Sequence, residues 1–342
     1  MKKYKVASLF AGIGGIDLAF QEVGFDIVWA NEIDKYACQT YRANFPNHKL
    51  VEGDIKKIKT EEIPNFDILI AGFPCQAFSV AGEQKGFNDE RGKLFFEIIR
   101  FLKNKKPLAF LLENVRNLVN HNEGETLTKM IELLKECGYW VKYDVLNADT
   151  HGNIPQNRER IFIVGFRGKR KYEKFNFPSE ISLKTQIRDL IDFENLQKKN
   201  FYYSTDNHGY YEKLAQEITQ ENTIYQWRRV YVRKNKSNVC PTLTANLGTG
   251  GHNVPLIFTK HGIRKLTPRE CFNLQGFPHN FQLPNLANCH LYKQAGNSVI
   301  VPLIKRIAEN ILISIEIDKE NIPINEPLRN KKTVPISLQQ RN

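Results

Sequence analysis

The first 166 residues alternate short aliphatic runs with longer amphipathic segments, and no other feature of the sequence restricts the possible folds as strongly. The aliphatic runs have the length of buried parallel strands, and the segments between them have the apolar spacing of helices. We predict strands over residues 5–10, 27–31, 68–72, 108–112, 141–146 and 161–166, and helices over residues 15–23, 35–44, 93–103 and 126–136. Because this alternation is typical of a doubly wound, mostly parallel sheet, the predicted fold class is α/β.

The sequence changes character after the last of these strands. Between about residues 169 and 262 the aliphatic rhythm is lost, and tyrosine and tryptophan alternate with arginine and lysine. We therefore predict a first domain over residues 1–168 and a smaller, irregular, basic domain over residues 169–280. The segment 281–320, with one long apolar-faced helix over 299–317, is expected to return to the first domain and to precede a basic tail over 321–342.

Composition excludes several classes of protein. With 41% hydrophobic and 25% charged residues, the chain is expected to be a folded, soluble protein of enzyme size. It shows neither a signal peptide nor an apolar run of membrane-spanning length. The six cysteines are scattered without a CxxC pair, so no metal site is predicted and a reducing cytoplasm is the expected location. A net charge of +12 indicates a polyanionic partner, although a solvated basic surface would give the same charge.

A glycine-rich turn follows the first predicted strand. It reads Phe10-Ala-Gly-Ile-Gly-Gly15, and in this position glycines let a ligand approach the backbone. Its spacing is not that of a dinucleotide-binding GxGxxG, and a tight turn without a ligand is the alternative. Glu32 and Asp54 stand where the next two strands end, and carboxylates there can bind a ribose and a base. The sequence therefore predicts a nucleoside pocket.

Cys75 follows Pro74 directly after the strand predicted over 68–72. Since ligands bind beyond the carboxyl ends of parallel strands, we expect the thiol to face a substrate; a small buried hydrophobe is the alternative. Glu113 ends the neighbouring predicted strand and would add an acid beside this nucleophile. Arg158 and Arg160 precede the strand predicted over 161–166. Guanidinium groups there can lower the thiol pKa or bind a carbonyl or phosphate.

In their order and spacing these segments resemble the DNA (cytosine-5) methyltransferases of bacterial restriction-modification systems. The shared segments are FAGIGG (10–15), Glu32, Asp54, FPCQ (73–76), ENV (113–115), QNRER (156–160), RKLTPRECFNLQGFP (264–278) and GNSV (296–299). Together they cover most of residues 4–166 and 264–300. The resemblance places a target-recognition domain over the basic region, including the stretch 241–251.

The resemblance implies methyl transfer from S-adenosylmethionine to C5 of a cytosine within a specific sequence of double-stranded DNA. Cys75 would add to C6 of a flipped-out base, Glu113 would contact N3 and the exocyclic amine, and Arg160 would contact O2. Arg158 is grouped with these three as catalytic. The loop 76–92 would close over the base, and Ser79 would contact a backbone phosphate.

The resemblance also implies two sets of binding residues. The predicted cofactor-binding residues are Phe10, Gly12, Gly14, Gly15, Glu32, Ile33, Asp54, Ile55, Pro74, Asn297 and Ser298. The predicted DNA-binding residues are Ser79, Arg228, Arg229, Arg233, Thr242 and Thr244. We expect a monomer that protects host DNA from a cognate restriction endonuclease acting on the same site without a stable complex.

Three alternatives stay open from sequence. A nicotinamide dehydrogenase would explain the doubly wound half and Glu32, but it leaves Cys75, Glu113 and the basic aromatic region without a role. A tRNA cytosine-5 methyltransferase shares the fold, and the long inserted region favours DNA over RNA only by analogy. A catalytically silent DNA-binding protein conflicts with the intact Cys75, Glu113 and Arg160.

Overall fold

The computed structural model describes residues 3–73, 94–206, 209–228, 230–235, 237–247 and 254–317. Within these ranges the central element is a seven-stranded sheet of order β3-β2-β1-β4-β5-β8-β6. Its strands are β1 (Lys5–Leu9), β2 (Asp26–Glu32), β3 (Leu50–Glu52), β4 (Ile68–Gly72), β5 (Ala109–Val115), β6 (Trp140–Asn147) and β8 (Glu159–Phe166), with the short β7 (Gln156–Asn157) outside it. The first five strands of this order run parallel, and β8 is antiparallel to both of its neighbours. The predicted mostly parallel α/β sheet is confirmed.

Helices connect and cover these strands. Their bounds are α1 (Gly15–Val23), α2 (Lys35–Asn44), α3 (Leu94–Lys105), α4 (Glu125–Glu136), α5 (Ala148–His151), α6 (Lys169–Lys174), α7 (Tyr211–Glu217), α8 (Pro268–Asn273), α9 (Asn288–Asn297) and α10 (Val301–Glu316). All strands and helices predicted from the sequence are confirmed to within three residues at each end. The bounds of β3 were not predicted, although Asp54 was expected where a third strand ends, because a strand of three residues gives almost no periodic signal.

The sheet buries both of its faces. Successive strand residues point to opposite faces, so Val6 and Ala7 enter two different hydrophobic clusters. The first cluster contains apolar side chains of α1 and α10, and the second contains those of α3 and α4. Burying one such large aliphatic or aromatic side chain contributes about 1.5–3 kcal/mol to folding. The two-sided burial leaves the carboxyl-end edge of the strands as the place where polar side chains collect.

A second sheet lies in the region for which the sequence predicted no regular structure. It is antiparallel, in the order β10-β9-β12-β13, with strands β9 (Ile224–Trp227), β10 (Val232–Lys234), β12 (Val254–Thr259) and β13 (Gly262–Lys265). One face packs with α7 in a small cluster of its own, and the other contributes Ile224 and Ile257 to the cluster that contains α1 and α10. A further short strand, β11 (Cys240–Pro241), pairs in parallel with β7. The domain boundaries given above stay predictions.

In the described part of the chain, no helix is both long and apolar enough to cross a membrane.

Candidate active site

The glycine-rich turn between β1 and α1 is held in a left-handed backbone conformation. Phe10, Gly12 and Gly14 have φ angles of 53°, 58° and 85°. Gly14 is the residue before α1, and a Cβ there would lie 2.3 Å from a ring carbon of Phe45, so both its backbone conformation and its packing require glycine. A Cβ on Gly12 would meet no described atom within 4 Å, so this side of the turn is open.

The Glu32 carboxylate fixes the position of that turn. It accepts hydrogen bonds from the backbone N–H groups of Gly12 (2.7 Å), Ile33 (2.8 Å) and Asp34 (2.8 Å). A carboxylate offers about four acceptor positions, so capacity for a further donor is left. The Ile33 side chain beside it is 65% exposed.

Asp54 is held close to Glu32 by the backbone of β2 and β3. The Asn31 side chain donates to the carbonyls of Val51 and Gly53, and the Gly53 N–H donates to the Glu32 carbonyl. Asp54 caps the short 3₁₀ helix Ile55–Lys57 through one carboxylate oxygen, which accepts from the Lys56 N–H. The side chain of Ile55 is buried in the core, whereas that of Ile33 is exposed.

The segment after α9 packs against the start of α1. A Cβ on Gly15 would lie 2.8 Å from Ser298 Oγ and 3.0 Å from a methyl group of Val299, so the start of α1 touches the segment after α9. Asn297 is exposed at the end of α9, and Ser298 is buried. The glycine-rich turn therefore contacts both Glu32 and Ser298, and the assignment of the cofactor-binding residues stays a prediction.

Glu113 and Arg160 form an ion pair at the adjacent part of the sheet edge. Arg160 Nε lies 3.2 Å from Glu113 Oε1, and a Cβ on Gly72, the last residue of β4, would lie 3.6 Å from Glu113 Oε2. The Asn114 side chain donates to the Phe73 carbonyl, which fixes the chain where it leaves β4. Pro74, Cys75 and Ser79 lie outside the described residues, as does Arg229.

Burial changes the acidity of Glu113. Loss of hydration raises the pKa of its carboxyl above the ordinary value, and the positive charges of Arg160 and Arg158 oppose that rise. A carboxyl with a raised pKa beside a guanidinium can hold a proton against a ring nitrogen while the cation faces a carbonyl oxygen.

Arg158 has a different environment from Arg160. Its side chain is 2% exposed, and its guanidinium donates to the carbonyls of Leu243 (2.9 Å), Gly296 (3.0 Å) and Ser298. These contacts connect the residues after β11 to the end of α9. Arg158 is thus held by backbone carbonyls, whereas Arg160 is paired with Glu113, and the grouping of the two as catalytic stays a prediction.

A buried glutamine network at the same junction was not predicted. Gln156 accepts from the Leu243 N–H and donates to the Leu274 carbonyl, while Gln275 donates to the Ala295 carbonyl. Both glutamines stand inside segments quoted above, but a buried amide has no periodic signal that would single it out. Asp17 on α1 was also missed, although an acid on the apolar side of a helix is such a signal.

The residues predicted to contact DNA lie in two places. Thr242 donates its hydroxyl to the Asn157 carbonyl, and Thr244 packs against Gly296 at the junction held by Arg158. Arg228 follows β9 and is half-buried, and Arg233 is exposed on β10. The antiparallel pairing of β9 with β10 places these two arginines on one hairpin.

Comparisons with known proteins identify the family of this chain. The family described as C-5 cytosine-specific DNA methylase matches residues 4–313. Type II methyltransferase M.Bsp6I from Bacillus sp. (strain RFL6) is 59% identical over 313 residues, which cover 91% of this chain and 99% of that protein. Type II methyltransferase M.SsoII from Shigella sonnei is 40% identical over 317 residues, which cover 92% of this chain and 81% of that protein.

Solved structures share the fold at lower identity. A DNMT2 mutant from Spodoptera frugiperda superposes with a TM-score of 0.71 at 21% identity, covering 91% of this chain and 100% of that one. A putative DNA modification methyltransferase encoded within an E. coli prophage gives a TM-score of 0.64 at 23% identity, covering 92% of this chain and 100% of that one. Since the family match spans nearly all of the described residues, the chain belongs to the C-5 cytosine-specific DNA methylase family, and its activity is the methylation of DNA cytosine at C5.

Proposed function

We propose that this enzyme methylates a cytosine within a specific short sequence of duplex DNA through a covalent intermediate on Cys75, and that it protects host DNA from a cognate restriction endonuclease. The observation that carries the mechanism is the Glu113–Arg160 pair beside the end of β4, three residues before Cys75. An acid and a cation at this edge match N3 and O2, two polar groups on the side of the cytosine ring opposite C5 and C6.

The residues around the glycine-rich turn fit S-adenosylmethionine, on which this family depends. The turn is open at Gly12, the exposed Ile33 offers an aliphatic surface to a purine ring, and Glu32 retains acceptor capacity for a ribose hydroxyl. In the proposed assignment Phe10 stacks on the adenine, Asp54 accepts from its amino group, and Pro74, Asn297 and Ser298 close the pocket. When bound, S-adenosylmethionine supplies an electrophilic methyl group on a cationic sulfur.

Cys75 makes C5 of cytosine reactive. Its thiolate adds to C6, and the C5–C6 π electrons move to C5. C5 then forms the bond to the methyl carbon while the bond from that carbon to the sulfonium sulfur breaks, and its electron pair stays on sulfur as a neutral thioether. Glu113 holds a proton at N3 and Arg160 donates to O2, so the negative charge that the addition places on the ring is neutralised where it develops. A base removes the C5 proton, the C5–C6 double bond forms again, and the thiolate leaves.

This chemistry requires the cytosine to leave the duplex. C6 is inaccessible to a thiolate inside the base stack, so the enzyme must flip the base out at a cost of a few kcal/mol. We assign closure over the flipped base to residues 76–92 and a phosphate contact to Ser79. Arg158 acts here as a positioning residue, because its guanidinium holds backbone of both the 297–298 pair and the stretch after β11.

Target choice is assigned to the basic region that contains the second sheet. The β9–β10 hairpin carries Arg228 and Arg233, and its arginine side chains suit both phosphates and guanine edges. The two sequence relatives described above are type II methyltransferases, which favours DNA over the tRNA alternative. We propose that the enzyme acts as a monomer, since one chain carries every block of the site.

The decisive experiment uses a duplex that contains 5-fluorocytosine at the target position. Fluorine at C5 blocks the elimination that frees the enzyme, so wild-type protein incubated with S-adenosylmethionine should form a covalent complex that survives denaturing electrophoresis. Cys75→Ser should form none, whereas Cys289→Ser, which changes an exposed free cysteine, should behave as wild type. A covalent complex with Cys75→Ser would refute the assignment. Bisulfite sequencing of DNA from cells that express the enzyme would identify the methylated position.

A further inference from the structure

A carboxyl group that the proposed chemistry does not use is buried directly under the glycine-rich turn. Asp17 lies in the first turn of α1, two residues after Gly15, and its side chain is fully buried. Its two oxygens have separate partners, since one accepts from Ser8 Oγ at 2.9 Å and the other from the Tyr41 hydroxyl at 2.8 Å. Burying an ionised carboxyl lowers the stability of a protein unless the carboxyl is hydrogen-bonded. The bonds from Ser8 and Tyr41 offset that loss at Asp17.

These partners belong to the elements that present the pocket. Ser8 lies on β1 two residues before Phe10, so one Asp17 bond holds the strand that leads into the turn. The Tyr41 ring packs on Gly14, where a Cβ would lie 3.0 Å from a ring carbon. The Tyr41 hydroxyl is also 3.0 Å from His48 Nδ1, in the connection that leads to β3 and Asp54. One carboxyl is therefore linked to three of the segments that line the pocket.

The ionisation of Asp17 determines which way these bonds point. Burial raises the pKa of Asp17 to about 6, and the hydrogen bonds from Tyr41 and Ser8 oppose that rise. When ionised, the carboxylate accepts from both hydroxyls, as in the structure. When protonated, one oxygen becomes a donor, and the hydroxyl facing it must turn away.

Tyr41 has an alternative acceptor for that case. Burial lowers the pKa of His48 while the charge of Asp26 opposes the change, so burial favours the neutral ring, whose unprotonated Nδ1 can accept from Tyr41. Asp17, Tyr41 and His48 thus form a hydrogen-bonded chain with two arrangements.

We propose that Asp17 is a positioning residue of the methyl-donor pocket, whose ionised carboxylate holds Ser8 and Tyr41 so that the glycine-rich turn keeps its binding conformation. This inference rests on the proposed assignment of S-adenosylmethionine to that pocket. It assigns to the enzyme a pH-dependent cofactor affinity that originates below the pocket, in a side chain that does not contact the cofactor.

Calorimetric titration with S-adenosylmethionine from about pH 5 to about pH 7.5 tests this role. In wild type the dissociation constant should fall roughly tenfold over this range, because ionisation strengthens two hydrogen bonds and a factor of ten corresponds to only about 1.4 kcal/mol. Asp17→Asn, which has the same shape, should bind more weakly at the upper pH and show a flat profile. Tyr41→Phe, which keeps the ring on Gly14, should reduce the pH dependence.

Asp144→Asn is the matched control, because it makes the same chemical change on the exposed edge strand β6. S-adenosylhomocysteine, which lacks the sulfonium charge, should give the same pH dependence as the methyl donor. If only the affinity for the cationic S-adenosylmethionine changed with pH, the positioning role would be overturned, because direct attraction between the Asp17 charge and the sulfonium would explain the result. Equal profiles for wild type and Asp17→Asn would also overturn it. Wild type that binds S-adenosylmethionine at no pH would instead refute the cofactor assignment, and this role with it.

Discussion

Arg160 Nε lies 3.2 Å from Oε1 of Glu113, and the two side chains come from neighbouring antiparallel strands at the edge where β4 ends. The strand register brings them together. Arg160 pairs with Val115, the last residue of β5, and its side chain reaches diagonally to Glu113, two residues earlier on β5. Both side chains are largely buried, at 15% and 12% exposed. An ion pair of this kind can present a proton and a cation side by side to one planar ring.

Glu113→Gln tests that arrangement. The amide keeps the shape and a hydrogen-bond donor, but it cannot hold the proton that neutralises the ring nitrogen. We expect the single-turnover rate of methyl transfer to fall about 10²–10⁴-fold, the usual contribution of a general acid. Affinity for target DNA should stay within a few-fold of wild type. A loss of less than about tenfold would remove Glu113 from the mechanism.

Replacing each of the two arginines of the QNRER segment with lysine should have different effects on folding stability and on the rate of methyl transfer. In Arg158→Lys the ammonium cannot reach the three carbonyls that the guanidinium fork holds, and each carbonyl left without a partner costs about 1–3 kcal/mol of folding free energy. Arg160→Lys keeps a charge near Glu113, so it should lower the rate more than the stability. Denaturant unfolding and single-turnover kinetics on both variants measure these effects. The opposite pattern would make Arg158 the residue that contacts substrate.

Helix-capping residues and prolines explain which elements could be predicted from the sequence. The sequence Thr-Pro-Arg-Glu at 267–270 is a capping-box pattern, which predicts the start of a helix. In the structure the Thr267 hydroxyl accepts from the Glu270 N–H at the start of α8, and the Glu270 carboxylate accepts from the Thr267 N–H. The second sheet gave no such signal, because its strands are short and β12 contains Pro255, which argues against a strand.

Long-range contacts in the site were not predictable from sequence. The sequence motifs identified Arg158 and Glu113 as candidate catalytic residues. The backbone carbonyls that accept from Arg158, however, lie 85, 138 and 140 residues away along the chain. Periodicity and capping patterns describe only neighbours within a few residues. The role of each arginine therefore depended on tertiary packing.

Gly296→Ala tests the junction between α9 and the stretch after β11. A Cβ at this position would lie 2.2 Å from the Thr244 carbonyl carbon, and backbone cannot give way as a side chain can. We expect a loss of about 1–3 kcal/mol or more in unfolding free energy. Gly209→Ala is the control, since its Cβ would meet no described atom within 4 Å, and its effect should stay within about 0.5 kcal/mol. Equal stability of the two variants would contradict the close packing at Thr244.

The raised pKa of Asp17 predicts how stability changes with pH. Burial raises this pKa from its ordinary value of 3.8 to about 6, so the folded state binds the proton more tightly than the unfolded state. As pH rises from about 4 to about 6, wild type should lose on the order of 2 kcal/mol of stability through this group. Asp17→Asn lacks the titration, so its unfolding free energy relative to wild type should increase over that interval. Urea unfolding at both ends measures it, and a constant difference would contradict the raised pKa.

Arg233 provides the test of the β9–β10 hairpin, because it is exposed on β10. If it contacts a phosphate, Arg233→Ala should weaken binding to all duplexes alike and flatten the dependence of log K on log salt by about 0.9. If it reads a guanine edge, the change should cost about 1–3 kcal/mol on the target sequence alone and relax discrimination at one base pair. Lys129→Ala, which removes an exposed charge from α4, should change neither quantity. Wild-type affinity, salt dependence and methylation pattern in Arg233→Ala would show that this charge serves only as a solvated surface, and target choice would then have to depend on other residues of the basic region.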